Sequence, residues 1–174
     1  MDIVLYPDPR LRAKNAPVTD FDAELEAVTR EMFKLMYSTK GVGLAAPQVG
    51  LNIRLMVYNP SGSSKNANEE VVLCNPKIAW KSKAKEDGQE GCLSFLSICG
   101  QVTRPISIRI EAQGLNGEPI ELELEDWEGR IFQHELDHLD GILFIDRMSL
   151  ASKSLVKGEL EDMVQEYKDQ LASS

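Results

Sequence analysis

Gln133-His134-Glu135-Leu136-Asp137-His138 contains both histidines of a 174-residue chain, one helical turn apart, with a glutamate directly after the first. Residues four apart stand on the same face of an α-helix, so the imidazoles of His134 and His138 can converge on one metal ion. This is the H-E-x-x-H pattern, and it predicts a helix that carries chemistry. Neutral imidazole nitrogens are good ligands for a divalent metal, whereas Glu135, one residue further round, reaches a water polarised by the metal rather than the metal itself. Such a water loses a proton near neutral pH, and Glu135 would accept it and hand it to a leaving group. Two histidines also fall at helical spacing by accident, and a third ligand would separate the two readings. No histidine remains to supply it, which leaves carboxylates and sulfur.

On either side of this stretch the pattern alternates between strand and helix. Asp126 can cap the histidine helix and Gly141 can end it. Upstream, Ile106, Ile108 and Ile110 alternate with polar residues, Leu115-Asn116-Gly117 supplies a turn, and Ile120, Leu122 and Leu124 alternate again, which is a β-hairpin. Shorter strands are expected at Val71 to Cys74 and Ile78 to Trp80, and a half-buried strand on Ile53, Leu55 and Val57. Pro60 to Asn68 reads as an exposed loop. Leu25, Val28, Met32, Leu35 and Met36 recur at three- and four-residue intervals after a cap at Asp20 or Asp22, giving an amphipathic helix to about Ser38. The prolines of Tyr6-Pro7-Asp8-Pro9 rule out a regular helix before it. After Leu143-Phe144-Ile145, Leu155, Leu160, Met163, Val164 and Leu171 outline a C-terminal helix over about 153–171. The fold class is therefore α+β: mostly antiparallel strands around the central H-E-x-x-H helix, with a helix towards each end of a single domain spanning 1–174.

With 43% hydrophobic and 27% charged residues, the chain suits one domain with a sizeable core. A net charge of −9 argues against broad binding to nucleic acid or anionic membrane, while leaving room for a local basic patch. No stretch approaches a transmembrane span, and Ile3-Val4-Leu5-Tyr6-Pro7 follows no charged and apolar leader, so a soluble, non-secreted protein is expected. An odd number of cysteines, Cys74, Cys92 and Cys99, fits a reducing compartment. Cys74, within Val71-Val72-Leu73-Cys74, reads as a small buried hydrophobe. Cys92 lies in Glu90-Gly91-Cys92-Leu93-Ser94, where a glycine lets the backbone turn close to a neighbour.

Gly41-Val42-Gly43-Leu44-Ala45-Ala46-Pro47-Gln48-Val49-Gly50 is small and apolar except for one amide. It lacks both the Gly-Lys-Ser/Thr ending and the G-x-G-x-x-G spacing of a phosphate cradle. Gln48 would be costly to bury unsatisfied, so its amide either bonds nearby main chain or meets a substrate oxygen.

Taken together, Gly41 to Gln48 (G-x-G-x-A-A-x-Q), Glu90 to Ser94 (E-G-C-L-S) and Gln133 to His138 (Q-H-E-x-D-H) resemble the peptide deformylase family. The likeness runs from about Tyr6 to Met148, and Phe95 with Arg130-Ile131-Phe132 look most like its bacterial and organellar, type 1B-like branch. The resemblance implies one metal ion held by Cys92, His134 and His138, with water in the fourth position and Glu135 as general base and acid. It implies Fe2+ in the cell, with Zn2+, Ni2+ or Co2+ accepted. It further implies removal of the formyl group from N-formylmethionyl nascent peptides, with Gln48 and the main-chain N–H of Leu93 binding the formyl oxygen, where each preorganised donor contributes about 3 kcal/mol. Gly43, Glu90 and Gly91 would shape the cleft, and Val42, Trp127 and Ile131 the methionine pocket. A cysteine with two imidazoles and one open position independently suits a catalytic site. A zinc endopeptidase and an inactive metal-binding relative are the alternatives.

The chain departs from the family pattern in three places. Leu96 stands where a proline is usual, Cys99 where relatives often have arginine or tyrosine, and Trp127 is expected to narrow or cover the methionine pocket. The C-terminal helix mixes Lys153, Lys157 and Lys168 with Glu159, Glu161, Asp162, Glu166 and Asp169, unlike basic tails that dock on ribosomes, which argues against docking by that route. A monomer or weak homo-oligomer is expected, in bacterial-type cytoplasm or in an organelle after loss of a transit peptide.

Overall fold

In the computed structural model, which describes residues 1–174, five antiparallel strands form one sheet in the order β1 (Gly43–Ala45), β2 (Leu55–Tyr58), β3 (Val71–Lys81), β6 (Ser107–Gln113) and β7 (Pro119–Glu125). A separate ribbon pairs β4 (Lys85–Cys92) with β5 (Phe95–Pro105). The histidine helix, α2 (Asp126–Leu139), packs on one face of the sheet, and the N-terminal helix, α1 (Ala23–Ser38), packs against β1 and β2. The class is α+β, as the sequence pattern implied.

Alternation along β2 explains how two helices share one sheet. Met56 and Tyr58 join Phe132, Leu136 and Leu139 of α2, whereas Leu55 and Val57 join Leu25, Met32 and Met36 of α1. All four β2 residues are buried, so this strand is covered on both faces rather than half-buried, and it begins at Leu55 because Ile53 makes only an isolated bridge to Ala16. Each fully buried side chain of this size contributes about 1.5–3 kcal/mol. Asp22, not Asp20, caps α1, its carboxylate accepting the Leu25 N–H at 3.0 Å. Cys74 is buried in the α1 core, as its apolar neighbours predict.

The other expected elements were shifted or missed for local reasons. Val71 to Cys74 and Ile78 to Trp80 are one strand, because irregular pairing between Cys74 and Lys77 absorbs Asn75, whose φ is +52°, without ending β3. Asp126 does not cap α2: β7 runs into the helix without a linker, Glu125 takes the cap position with no side-chain bond, and Asp126 turns the chain at φ +54°. The C-terminal helix is broken at Val156 into α4 (Leu150–Leu155) and α5 (Lys157–Ala172), after the short α3 (Phe144–Arg147). The break allows Val156 and Leu160 to pack with Phe95, Ile98 and Val102 of the ribbon. The segment Pro60 to Asn68 is largely exposed and forms a 3-10 turn over Ser64–Glu69. No helix is long and apolar enough to cross a membrane.

Gly141 ends α2 at φ +72°, and a Cβ there would lie 3.0 Å from the Arg12 carbonyl oxygen. Left-handed backbone costs a residue with a side chain about 1–2 kcal/mol. Gly141→Ala is therefore expected to lower stability by about that amount or slightly more, read as a lower urea midpoint at unchanged slope. An unmoved midpoint would mean that this helix end relaxes freely.

Candidate metal centre

The site is built across the two halves of the fold. Cys92 closes β4, at the end of the ribbon, while His134 and His138 project from successive turns of α2. One ligand atom from each of the three lies within 4.8 Å of the others, and Cys92 Sγ is 3.3 Å from His138 Nε2. His134 Nδ1 is 2.9 Å from Glu90 Oε1, which leaves Nε2 of the same ring for a metal.

Glu90 is held in turn by arginines. Arg104 donates to both of its oxygens, through Nε at 2.6 Å and Nη2 at 2.8 Å, and Arg130 Nη1 donates at 2.7 Å. Burial alone would raise the Glu90 carboxyl, but the bonds from Arg104 and His134 outweigh it and hold Glu90 well below the usual carboxylate range. An ionised Glu90 accepts the Nδ1–H of His134 and so fixes the tautomer and the angle of the ring. Burial holds His138 well below its ordinary value and hence neutral. For His134 burial acts in the same direction, yet the bonds to Cys92 and Glu90 prevail and raise it. Glu135 is pushed up to about 7 by burial, against the opposing pull of His134, and its Oε2 is buried with no hydrogen-bond partner. A thiolate and two imidazoles suit a first-row divalent ion, and an unpartnered carboxylate oxygen beside them suits a catalytic rather than a closed structural site.

These groups face a cleft of about 320 Å³. Gln48, Leu93, Val42, Gly43, Glu90, Gly91, Trp127 and Ile131 all line it together with Cys92, His134 and Glu135; His138 lies behind them, buried. Both alternatives for the Gln48 amide hold in part. Its carbonyl accepts the Ala45 N–H at 2.9 Å, and this bond turns the NH2 toward Ser94 Oγ at 3.2 Å and Cys92 Sγ at 3.4 Å. A Cβ on Gly43 would lie 3.1 Å from the Glu135 carboxylate, so glycine lets β1 pass this closely without displacing that side chain. Trp127, half-exposed on the cleft wall, donates from Nε1 to the Pro60 carbonyl at 3.2 Å.

The sequence profile of the polypeptide deformylase family matches residues 1–154. The chain belongs to the peptide deformylase family. It is 47% identical over 169 residues to the chloroplastic peptide deformylase 1B of Oryza sativa, covering 97% of this chain and 62% of that protein. To the peptide deformylase of Acidobacterium capsulatum it is 44% identical over 161 residues, covering 92% of this chain and 94% of that one. Thus the chain spans about three-fifths of the plant relatives it matches and nearly all of a bacterial deformylase. Among solved structures, a G41M mutant of Arabidopsis thaliana peptide deformylase 1B superposes with a TM-score of 0.95 at 46% identity, covering 98% of this chain and 92% of that one. Plasmodium falciparum peptide deformylase superposes with a TM-score of 0.95 at 42% identity, covering 97% and 98%.

Two arginines in the ion pairs behind the candidate metal centre escaped the sequence reading. Arg104 is buried, and Arg147 donates to Asp137 of α2. The signal for Arg104 was present: Ile98, Gly100, Val102 and Arg104 follow one another at every second position, and the same phase points all four inward. Arg147, with a side chain 45% exposed, carries no such mark.

Proposed function

We propose that this chain is a metal-dependent deformylase that removes the formyl group from N-formylmethionyl nascent peptides and releases formate. The observation that carries this reading is the convergence of Cys92, His134 and His138 beside the buried, unpartnered Glu135 oxygen at the base of the cleft. Family membership supplies the substrate class. When bound, the ion acts as a Lewis acid on the formyl carbonyl and lowers the pKa of water.

Glu135 takes the proton of the attacking water as the new C–O bond forms, then gives a proton to the amine nitrogen as the C–N bond of the formamide breaks. The Gln48 NH2, aimed by the Ala45 bond, and the Leu93 N–H donate to the formyl oxygen as it gains charge. Glu90 keeps the His134 ring at its angle. Val42, Trp127 and Ile131 receive the methionine side chain, with Gly43 and Gly91 giving the peptide room beside the carboxylate and the ribbon. The donor set suits Fe2+ in the cell and accepts Zn2+, Ni2+ or Co2+, since thiolate and imidazole bind several first-row ions. The protein works as a monomer or weak homo-oligomer, without ribosome docking through α5, in bacterial-type cytoplasm or in an organelle.

Formate release from a formyl-Met-peptide by protein purified anaerobically, with metal quantified in the same sample, tests the reading. Turnover that scales with metal content is expected. Internal cleavage of unformylated peptides would point to an endopeptidase, and metal binding without turnover to an inactive relative; either result overturns the proposal.

A further inference from the structure

We infer that Arg147, which lies outside the cleft on α3, is a positioning residue for the metal centre and acts on His134 through a relay of buried ion pairs. The inference rests on the metal-centre reading above. Arg147 grips Asp137 with a two-pronged fork, Nε to Oδ2 at 2.6 Å and Nη2 to Oδ1 at 3.0 Å. Asp137 Oδ2 also accepts from Arg104 Nη1 at 2.9 Å. Arg104 in turn holds both oxygens of Glu90, and Glu90 Oε1 holds His134 Nδ1. Arg104, Glu90 and Asp137 all have side chains less than 10% exposed, so the bonds among these three are shielded from water.

One guanidinium is therefore divided between two buried carboxylates. With Arg147 in place, Asp137 has a partner for each oxygen, and Arg104 can keep two of its three bonds on Glu90. Without Arg147, Asp137 Oδ1 loses its one protein partner and Arg104 is the only cation left to Asp137. The attraction draws Arg104 toward α2 and away from Glu90; Arg130 still holds Glu90 Oε2, but Oε1, the oxygen that faces His134, loses its bond from Arg104 and the ring it steadies turns with it. A carboxylate that fixes a ligating histidine tunes the metal as well as holding it. A purely structural role for Arg147, tying α3 to α2, would leave the metal's surroundings as they were.

The test uses whole protein loaded with Co2+, whose visible bands report ligand geometry, and the variants Arg147→Ala and Arg147→Lys. Loss of a partner bonded directly to a ligating histidine costs roughly 10–100-fold in affinity, so loss of a partner three pairs further out is expected to speed chelator stripping of Co2+ by roughly 3–10-fold. The cobalt bands should shift, KM for a formyl-Met-peptide should hold while kcat falls, and Arg147→Lys, with charge but no fork, should fall between. Arg12→Ala serves as the control, since Arg12 binds Asp146 on the same short helix without entering the relay. Its bands and stripping rate should match wild type. The inference is overturned if the Arg147 variants melt earlier with unmoved bands and stripping rates, or if Arg12→Ala shifts the bands equally. Should Arg147→Ala fail to fold, Arg147→Lys decides by the same two readouts. A wild-type protein lacking the thiolate-to-cobalt absorption would instead refute the Cys92 ligand, and the relay with it.

Discussion

Cys92→Ala is expected to abolish both metal retention and deformylation while leaving the fold intact. Cys92 is only partly buried at the end of the ribbon, at the edge of the core that holds Phe95 and Phe144, and its sulfur lies 3.4 Å from Gln48 Nε2 and 3.3 Å from His138 Nε2. Removing one sulfur atom from the edge of that core, rather than from its interior, costs little packing. What it removes is one of three donors, and two imidazoles from a single helix cannot close a site by themselves. The loss of affinity should exceed the roughly 10–100-fold attached to an outer partner. Metal per chain after dialysis should fall from near one to near zero, with formate release lost in parallel and far-ultraviolet circular dichroism unchanged. A variant that kept one metal and its rate would show that the sulfur is not a ligand.

That the thiol and the imidazoles meet was only partly legible in the sequence. The helical spacing of His134 and His138 follows from 3.6 residues per turn, so α2 and its two donors could be placed from the pattern alone. Cys92 could not, because the ribbon that delivers it hides its strands. Lys85 to Cys92 is mostly polar, with an exposed glutamate, aspartate and lysine at one end, and its order comes from pairing along β5 rather than from an apolar face of its own. Only the resemblance of Glu90 to Ser94 to a known motif joined the cysteine to the histidines beforehand. The β6–β7 hairpin was plain because its two strands alternate cleanly over one core, Ile108, Ile110 and Leu124 facing inward. The turn at Asp126 was not, since nothing in Glu125-Asp126-Trp127 announces a strand that passes directly into a helix.

The ribbon is also joined to the histidine helix by buried charge. Cys92 belongs to a two-stranded unit and the histidines to a helix on the main sheet, so their separation is set by whatever joins the two. Arg104 of β5 reaches Asp137 of α2, and Arg130 of α2 reaches Glu90 of β4. Breaking a buried pair by removing one partner costs on the order of 3–5 kcal/mol. Such pairs hold register between elements that share little apolar contact.

Glu135→Gln should give the complementary result, full metal content with the rate lowered by roughly 10²–10⁴-fold, the usual contribution of a general acid and base. The glutamine keeps the volume of a side chain that is 2% exposed, so it avoids the cavity that Glu135→Ala would leave, and the two variants together separate chemistry from packing. An amide in that place can still donate and accept hydrogen bonds but cannot carry the proton from water to the departing nitrogen. KM should change little, because Val42, Trp127 and Ile131, which are assigned the methionine side chain, are untouched. Both variants should retain near one metal per chain, since Glu135 is not among the three converging donors. Full rate in Glu135→Gln would place the proton transfer on another group. Loss of metal in both variants would make Glu135 part of the coordination rather than its neighbour.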